Sequence, residues 1–219
     1  IGTIYLMIGT LIFAVPLGIL AGIYLSEYAA DNWLTRTINL AIVNLAGVPS
    51  IVYGLFGLGV FVLTFNLGMS LLAASLTLAC QALAMTITTS RESILAVPRE
   101  FREGSLAVGV TRWQTIRHIV LPQATPGIIT GAILAMSRAA GETAPIIVVG
   151  AAFLVPGLPT SPLDRFMALA YHLYTVAAHV PGMPYSTIWG VALVLMIAVL
   201  SFNILATIIR LKTRQRRNN

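Results

Sequence analysis

Five apolar stretches, each long enough to cross a bilayer, leave this chain few folds to choose from. They run over about 2–26, 36–64, 69–91, 127–155 and 187–209. A helix needs roughly 20 apolar residues to span the hydrocarbon core, and there each backbone N–H and C=O must be paired inside the protein. The expected fold class is therefore all-α: a polytopic bundle of transmembrane helices forming a single domain over 1–219. The link at 65–68 is short, which makes the second and third helices an antiparallel hairpin; polar loops at 27–35, 92–126 and 156–186 separate the others. A soluble alternative fails on composition. The chain is 58% hydrophobic and 9% charged, where soluble domains carry about 25% charged residues, and only lipid can cover so much apolar surface.

Basic residues set the orientation. Arg36, Arg91, Arg99, Arg102, Arg112 and Arg117 fall on one side of an alternating path, together with Arg210, Lys212, Arg214, Arg216 and Arg217 of the tail; the other side holds only Arg165. An excess of Lys and Arg marks the cytoplasmic side. The insert at 92–126 and the C-terminus are thus expected inside, and 156–186 outside. Ile1 then lies outside, so an upstream helix is expected, giving six in the full-length protein. The net charge of +6 sits at the edges of apolar runs, not in a nucleic-acid-binding stripe. One cysteine, Cys80, allows no internal disulfide, and no metal site is expected.

The segment from Glu103 to Pro122 is polar yet patterned for helix. Pro98 suits a helix start, where no amide donor is needed. Gly109 suits the left-handed residue just past a helix end. Thr111 with Gln114 makes a capping box, and Pro122 is expected to close the second helix. Two short helices follow, about 98–108 and 112–120, bent sharply at Gly109: a rigid knob within the insert 98–122.

The fourth stretch carries Arg138 about eleven residues in, roughly 17 Å along at ~1.5 Å per residue and so near the bilayer midplane. Glu142, four residues on, projects from the same face. A charge at that depth costs about 3 kcal/mol on insertion scales, so both must face protein or a watery path. Pro145 cannot donate to the carbonyl of Gly141, and a kink is expected at 141–145. In the second stretch Pro49 is expected to break the helix, with Ser50 re-satisfying freed backbone. Gly54, Gly57 and Gly59 suit close helix packing. Asn44 and Asn203 are expected to bond between helices. In the external loop, 163–178 reads as a helix with Asp164 and Arg165 at its start, and this loop is expected to form a gate or docking surface.

Glu103, Gly109, Ile119, Leu121 and Pro122 resemble the EAA-loop pattern of ABC importer permeases, with Glu103-Gly104-Ser105 where that pattern has EAA. Asn44 to Gly57, Arg99 to Pro122 and Ser137 to Pro145 are further similar to the phosphate-permease branch of the PstA type. The resemblance implies the MetI-like permease fold and a role for Glu103, Gly104, Ser105, Gly109, Thr111, Arg112 and Trp113 in docking to a separate ATPase. It also implies a pathway role for Arg138 and Glu142; the helix kinks at Pro49, Gly141 and Pro145 are expected from the prolines themselves. The implied partners are a second, homologous permease, a cytoplasmic ATPase dimer that binds ATP and Mg, and an external phosphate-binding protein. The implied location is the bacterial cytoplasmic membrane. This chain would hold no cofactor, and its only lysine, Lys212, belongs to no phosphate-binding loop. Another oxyanion, molybdate or sulfate, is the alternative cargo. A secondary transporter would need coupling-ion sites that the sequence lacks. An intramembrane enzyme would need a paired nucleophile and base, yet His118, His172 and His179 all fall in loops.

Overall fold

A computed structural model describes residues 1–215, without the side chains of residues 205, 206 and 209–215. Arg216 and Arg217 therefore lie outside the described residues, as do the side chains of Arg210, Lys212 and Arg214. Helix α1 (Gly2–Ile23) ends in a π-helical turn, Tyr24–Tyr28; α2 (Trp33–Ala46) is followed by α3 (Ser50–Gly57), which continues as a π-helix over Leu58–Thr64. Next come α4 (Leu71–Leu95) and α5 (Arg99–Ala107). Helix α6 (Arg112–Thr115) passes through a π turn, Ile116–Val120, into α7 (Leu121–Gly141). Then follow α8 (Ala144–Val149), α9 (Leu169–Ala178) and α10 (Tyr185–Gln215). Among the described residues, four continuous helices are long and apolar enough to cross a membrane: Gly2–Tyr28, Leu71–Leu95, Arg112–Gly141 and Tyr185–Ile204.

The second apolar stretch is not one helix. Trp33–Ala46 and Ser50–Thr64 meet at 104°. Pro49 sits at the corner with φ −57° and ψ 138°; its fixed φ and lack of an amide N–H end the incoming ladder. The carbonyl of Leu45 is taken up by the Tyr53 hydroxyl at 2.8 Å, not by Ser50. Asn44 is exposed and has no side-chain partner among the described residues. Asn203 does bond between helices, accepting from the Ser137 hydroxyl.

The fourth stretch differs at both ends. Its helix starts at Arg112 and runs through Pro122, where an end was expected. The π turn explains this: the Leu121 N–H donates to Ile116, five residues back, and the ladder changes register as it re-enters α7. Proline, which has no N–H to place, is tolerated at such a junction. At the far end α7 stops at Gly141 and Glu142 is extended, φ −72° and ψ 129°; the short α8 resumes at Ala144 and ends at Val149, and residues 150–155 are not helical. Ala151 instead bridges Phe166. Phe166 is fully buried against Leu6, Leu78 and Ile146, which is why the expected helix over 163–178 starts only at Leu169. Before it, Asp164 Oδ2 accepts from the backbone of Thr160 and Ser161 at 2.8 Å each and so closes a turn.

Helix α4 is the centre of the molecule, packed on α1, α3, α7 and α8. Its Ser and Thr side chains press into glycines on its neighbours: Ser75, Thr86 and Ser90 face Gly9, Gly18 and Gly22 of α1, Thr77 faces Gly57, and Thr89 and Ser93 face Gly131 and Gly127 of α7. Gly18–Gly22 and Gly127–Gly131 are each spaced by four, the small-residue pattern that lets membrane helices approach closely. Gly54 is filled by Pro145 and Val148, while Gly59 has open space around it.

Candidate functional site

Two sites stand at opposite ends of α7. The first is a bent elbow formed by α5 and α6. Pro98 precedes α5 in extended conformation. Gly109 has φ +84°, a left-handed value that favours glycine, and two bonds close the end of α5: Gly109 N–H to Leu106 at 3.0 Å and Val110 N–H to Ser105 at 3.2 Å. The capping box of Thr111 and Gln114 is complete. The two arms are held together by the buried hydroxyls of Ser105 and Thr115, 2.7 Å apart. Beneath them Ile94, Val97, Ile116 and Val120 form an apolar base shared with Ile23 of α1. Glu103, Gly104, Gly109, Thr111, Arg112 and Trp113 lie on the exposed side. On the same insert Phe101, Leu106, Val108 and Trp113 are 50%, 49%, 78% and 51% exposed, apolar side chains set in a polar segment.

The elbow is also tied down by contacts that sequence reasoning did not foresee. Arg102 donates Nε at 3.1 Å and Nη2 at 2.9 Å to Glu27 Oε1, at the end of the first span. It also donates to the carbonyls of Val97 at 2.5 Å and Ile94 at 2.7 Å, at and just past the end of α4, where carbonyls lack α-helical partners. Arg112 donates to the Glu27 carbonyl and lies 5.0 Å from the Tyr28 ring centroid. The available signal was Glu27 itself, a lone carboxylate ending an apolar run opposite a basic insert.

The second site is the break after α7. Arg138 Nε is 3.2 Å from Glu142 Oε1, and Gln81 of α4 donates to the same oxygen at 2.6 Å. Both donors converge on Oε1. Among the described residues, Glu142 Oε2 and the two terminal nitrogens of Arg138 have no protein partner. The Arg138 side chain is 44% exposed and that of Glu142 16%. Gln81 is buried, and its Oε1 has no partner. A cavity of ≈ 10 Å³ lies among Gln81, Arg138 and Glu142, room for about one water. This combination, a free guanidinium fork beside free acceptors, suits an anion that also carries a proton. Gln81 was missed because its partner lies 61 positions away.

Comparison with known proteins gives the chain's relationships. The sequence pattern of the family described as "Binding-protein-dependent transport system inner membrane component" matches residues 14–216. The chain is 36% identical over 228 residues to the phosphate transport system permease protein PstA 1 of Mycobacterium tuberculosis, covering 99% of this chain and 72% of that one. It is 29% identical over 247 residues to the phosphate transport system permease protein PstC of Haemophilus influenzae, covering 98% and 77%. Among solved structures, an inward-facing MetNI methionine ABC transporter matches with a TM-score of 0.79 at 18% identity, covering 97% of this chain and 93% of that one.

Proposed function

Because the chain belongs to the family of binding-protein-dependent transport system inner membrane components, and is thus a multi-pass membrane transport subunit, we propose that it conducts inorganic phosphate in an ATP-driven importer. The substrate reading rests on the relatives named as phosphate permeases and on one observation. Within an apolar span, Arg138 offers two nitrogens, and Glu142 beside it one oxygen, that have no partner among the described residues. Phosphate keeps at least one proton near neutral pH and can both accept from Arg138 and donate to Glu142. Sulfate and molybdate lack that donor, and the relatives do not favour them.

The elbow is the docking face for a cytoplasmic ATPase dimer. Phe101, Leu106, Val108 and Trp113 make its apolar contact, and Glu103, Gly104, Ser105, Gly109, Thr111 and Arg112 shape it. ATP and Mg are bound by that dimer, and this chain neither hydrolyses ATP nor holds a cofactor. The path is completed by a second, homologous permease, as the similarity to proteins of both PstA and PstC names suggests. An external binding protein delivers phosphate to the 156–186 side. The C-terminus is cytoplasmic, on the same side as the elbow.

The test is uptake of radiolabelled phosphate into vesicles holding the chain, its partner permease and the ATPase, with the binding protein on the opposite face and sulfate and molybdate as competitors. ATP-dependent phosphate uptake that resists both competitors is expected. Uptake of another oxyanion instead would overturn the substrate assignment and leave the architecture standing.

A further inference from the structure

Both arms of the elbow grip one residue of the first span. Arg102, on α5, holds the Glu27 side chain; Arg112, on α6, holds its backbone carbonyl and stacks on the next ring, Tyr28. These contacts cross 75 and 85 positions of sequence. No other recorded side-chain bond joins the elbow to the first span among the described residues. The elbow is already joined to α7 through the continuous backbone of the π turn Ile116–Val120, and to α4 through the short link at 96–98. Its polar hold on the first span is therefore concentrated on Glu27, beside the apolar contact with Ile23.

We propose that Glu27 is the positioning residue through which a stroke on the elbow reaches the first span, so that elbow, first span and α4 move as one rigid unit. This rests on the coupling role proposed above. The physical case is one of stiffness. The Glu27 and Arg102 side chains are 9% and 18% exposed, so water competes weakly for the pair, unlike a solvated ion pair. Two nitrogens of one planar guanidinium reach the same Glu27 oxygen, and Nη2 and Nη1 also donate to the carbonyls of Ile94 and Val97; a rigid plane held at three separate acceptors resists rotation where a single contact would pivot. Beyond the grip, the stroke meets no slack. Gly18 and Gly22 of α1 lie against Thr86 and Ser90 of α4 with no room for a Cβ between them. Glu27 also sits in a π turn, a departure from α-helix that recurs at functional positions.

The measurement is phosphate taken up per ATP hydrolysed in vesicles holding the complete importer, with assembly checked by co-purification of the ATPase. Glu27→Ala is expected to lower that ratio by about 5-fold or more, the low end of coupling between sites, while the ATPase stays bound. A merely structural role would lower yield and assembly and leave the ratio of surviving complexes unchanged. A second variant guards against misfolding. In a Cys80→Ala background, Glu27→Cys with Arg102→Cys should couple poorly, and a short bifunctional maleimide joining the two should restore the ratio. A normal ratio in Glu27→Ala, or loss of transport on cross-linking, would overturn the rigid link. If the unsubstituted importer shows no ATP-driven uptake, the coupling reading itself fails.

Discussion

Among the described residues, Glu142 carries two donors on one oxygen and none on the other, and under the proposed function its chemistry decides which anions fit. Glu142→Gln replaces an obligate acceptor with an amide that can donate, so a fully ionised oxyanion is no longer repelled. Excess sulfate is expected to inhibit phosphate uptake at least about tenfold more strongly in the variant, because discrimination rests on a buried group left unpaired by the wrong substrate. Equal inhibition in both proteins would remove Glu142 from anion choice. Outside the membrane, the N–H groups of Ser161 and Thr160 and the Thr160 hydroxyl hold the Asp164 carboxyl below its usual range. A depressed carboxylate contributes stability above the ordinary aspartate value of about 3.9, and that contribution is lost as pH falls through the lower, folded value. Hydrogen exchange at the Thr160 and Ser161 amides should thus stay slow at mildly acidic pH, with protection lost only in strong acid; early loss would contradict the turn. At this scale the sequence was partly legible. Arg138 and Glu142 were found because their spacing is local, whereas Gln81 and Glu27 answer to residues 61 and 75 positions away, which no local pattern reports.

The elements that could be read are those whose ends are fixed locally. Pro98, Gly109 and the Thr111–Gln114 box each act within a few residues, and the elbow follows them. The corner between α2 and α3 was half legible: Pro49 announces a break, but the 104° turn needs Tyr53 to reach back over eight positions to Leu45. Tyr53→Phe removes that bond and leaves the Leu45 carbonyl to the Val48 N–H at 3.2 Å, at a cost of about 1 kcal/mol. Spin labels on α2 and α3 should then report a broader distance distribution than in the unsubstituted protein; identical distributions would show that the corner is held otherwise. Pro122 was misread because it follows a π turn, at the point where the ladder re-enters α7 and a missing N–H is tolerated. The five-residue bonding of Ile116–Val120 has no sequence signature comparable to a cap.

At the scale of the molecule, the apolar runs disclosed the class and nearly all the spans, but not how closely the spans approach. That depends on glycines meeting hydroxyl side chains across helices. Gly131→Leu would drive a side chain into Thr89; overpacking of this kind costs about 1–3 kcal/mol, and the purified chain should melt at a lower temperature. Gly190→Ala, with nothing near it, should leave the melting point unchanged or raise it. Equal melting of the two variants would deny α4 its central place. One continuous helix, Arg112–Gly141, has 30 residues and so measures about 45 Å at ~1.5 Å per residue, well beyond a hydrocarbon thickness of roughly 30 Å. The excess emerges from the bilayer, and the tilt of the rod is fixed by its packing on α1, α4 and α10. Its protruding end is the second arm of the elbow. Any tilting of α7 within the bilayer therefore swings the elbow through the same angle, as a handle turns with its shaft.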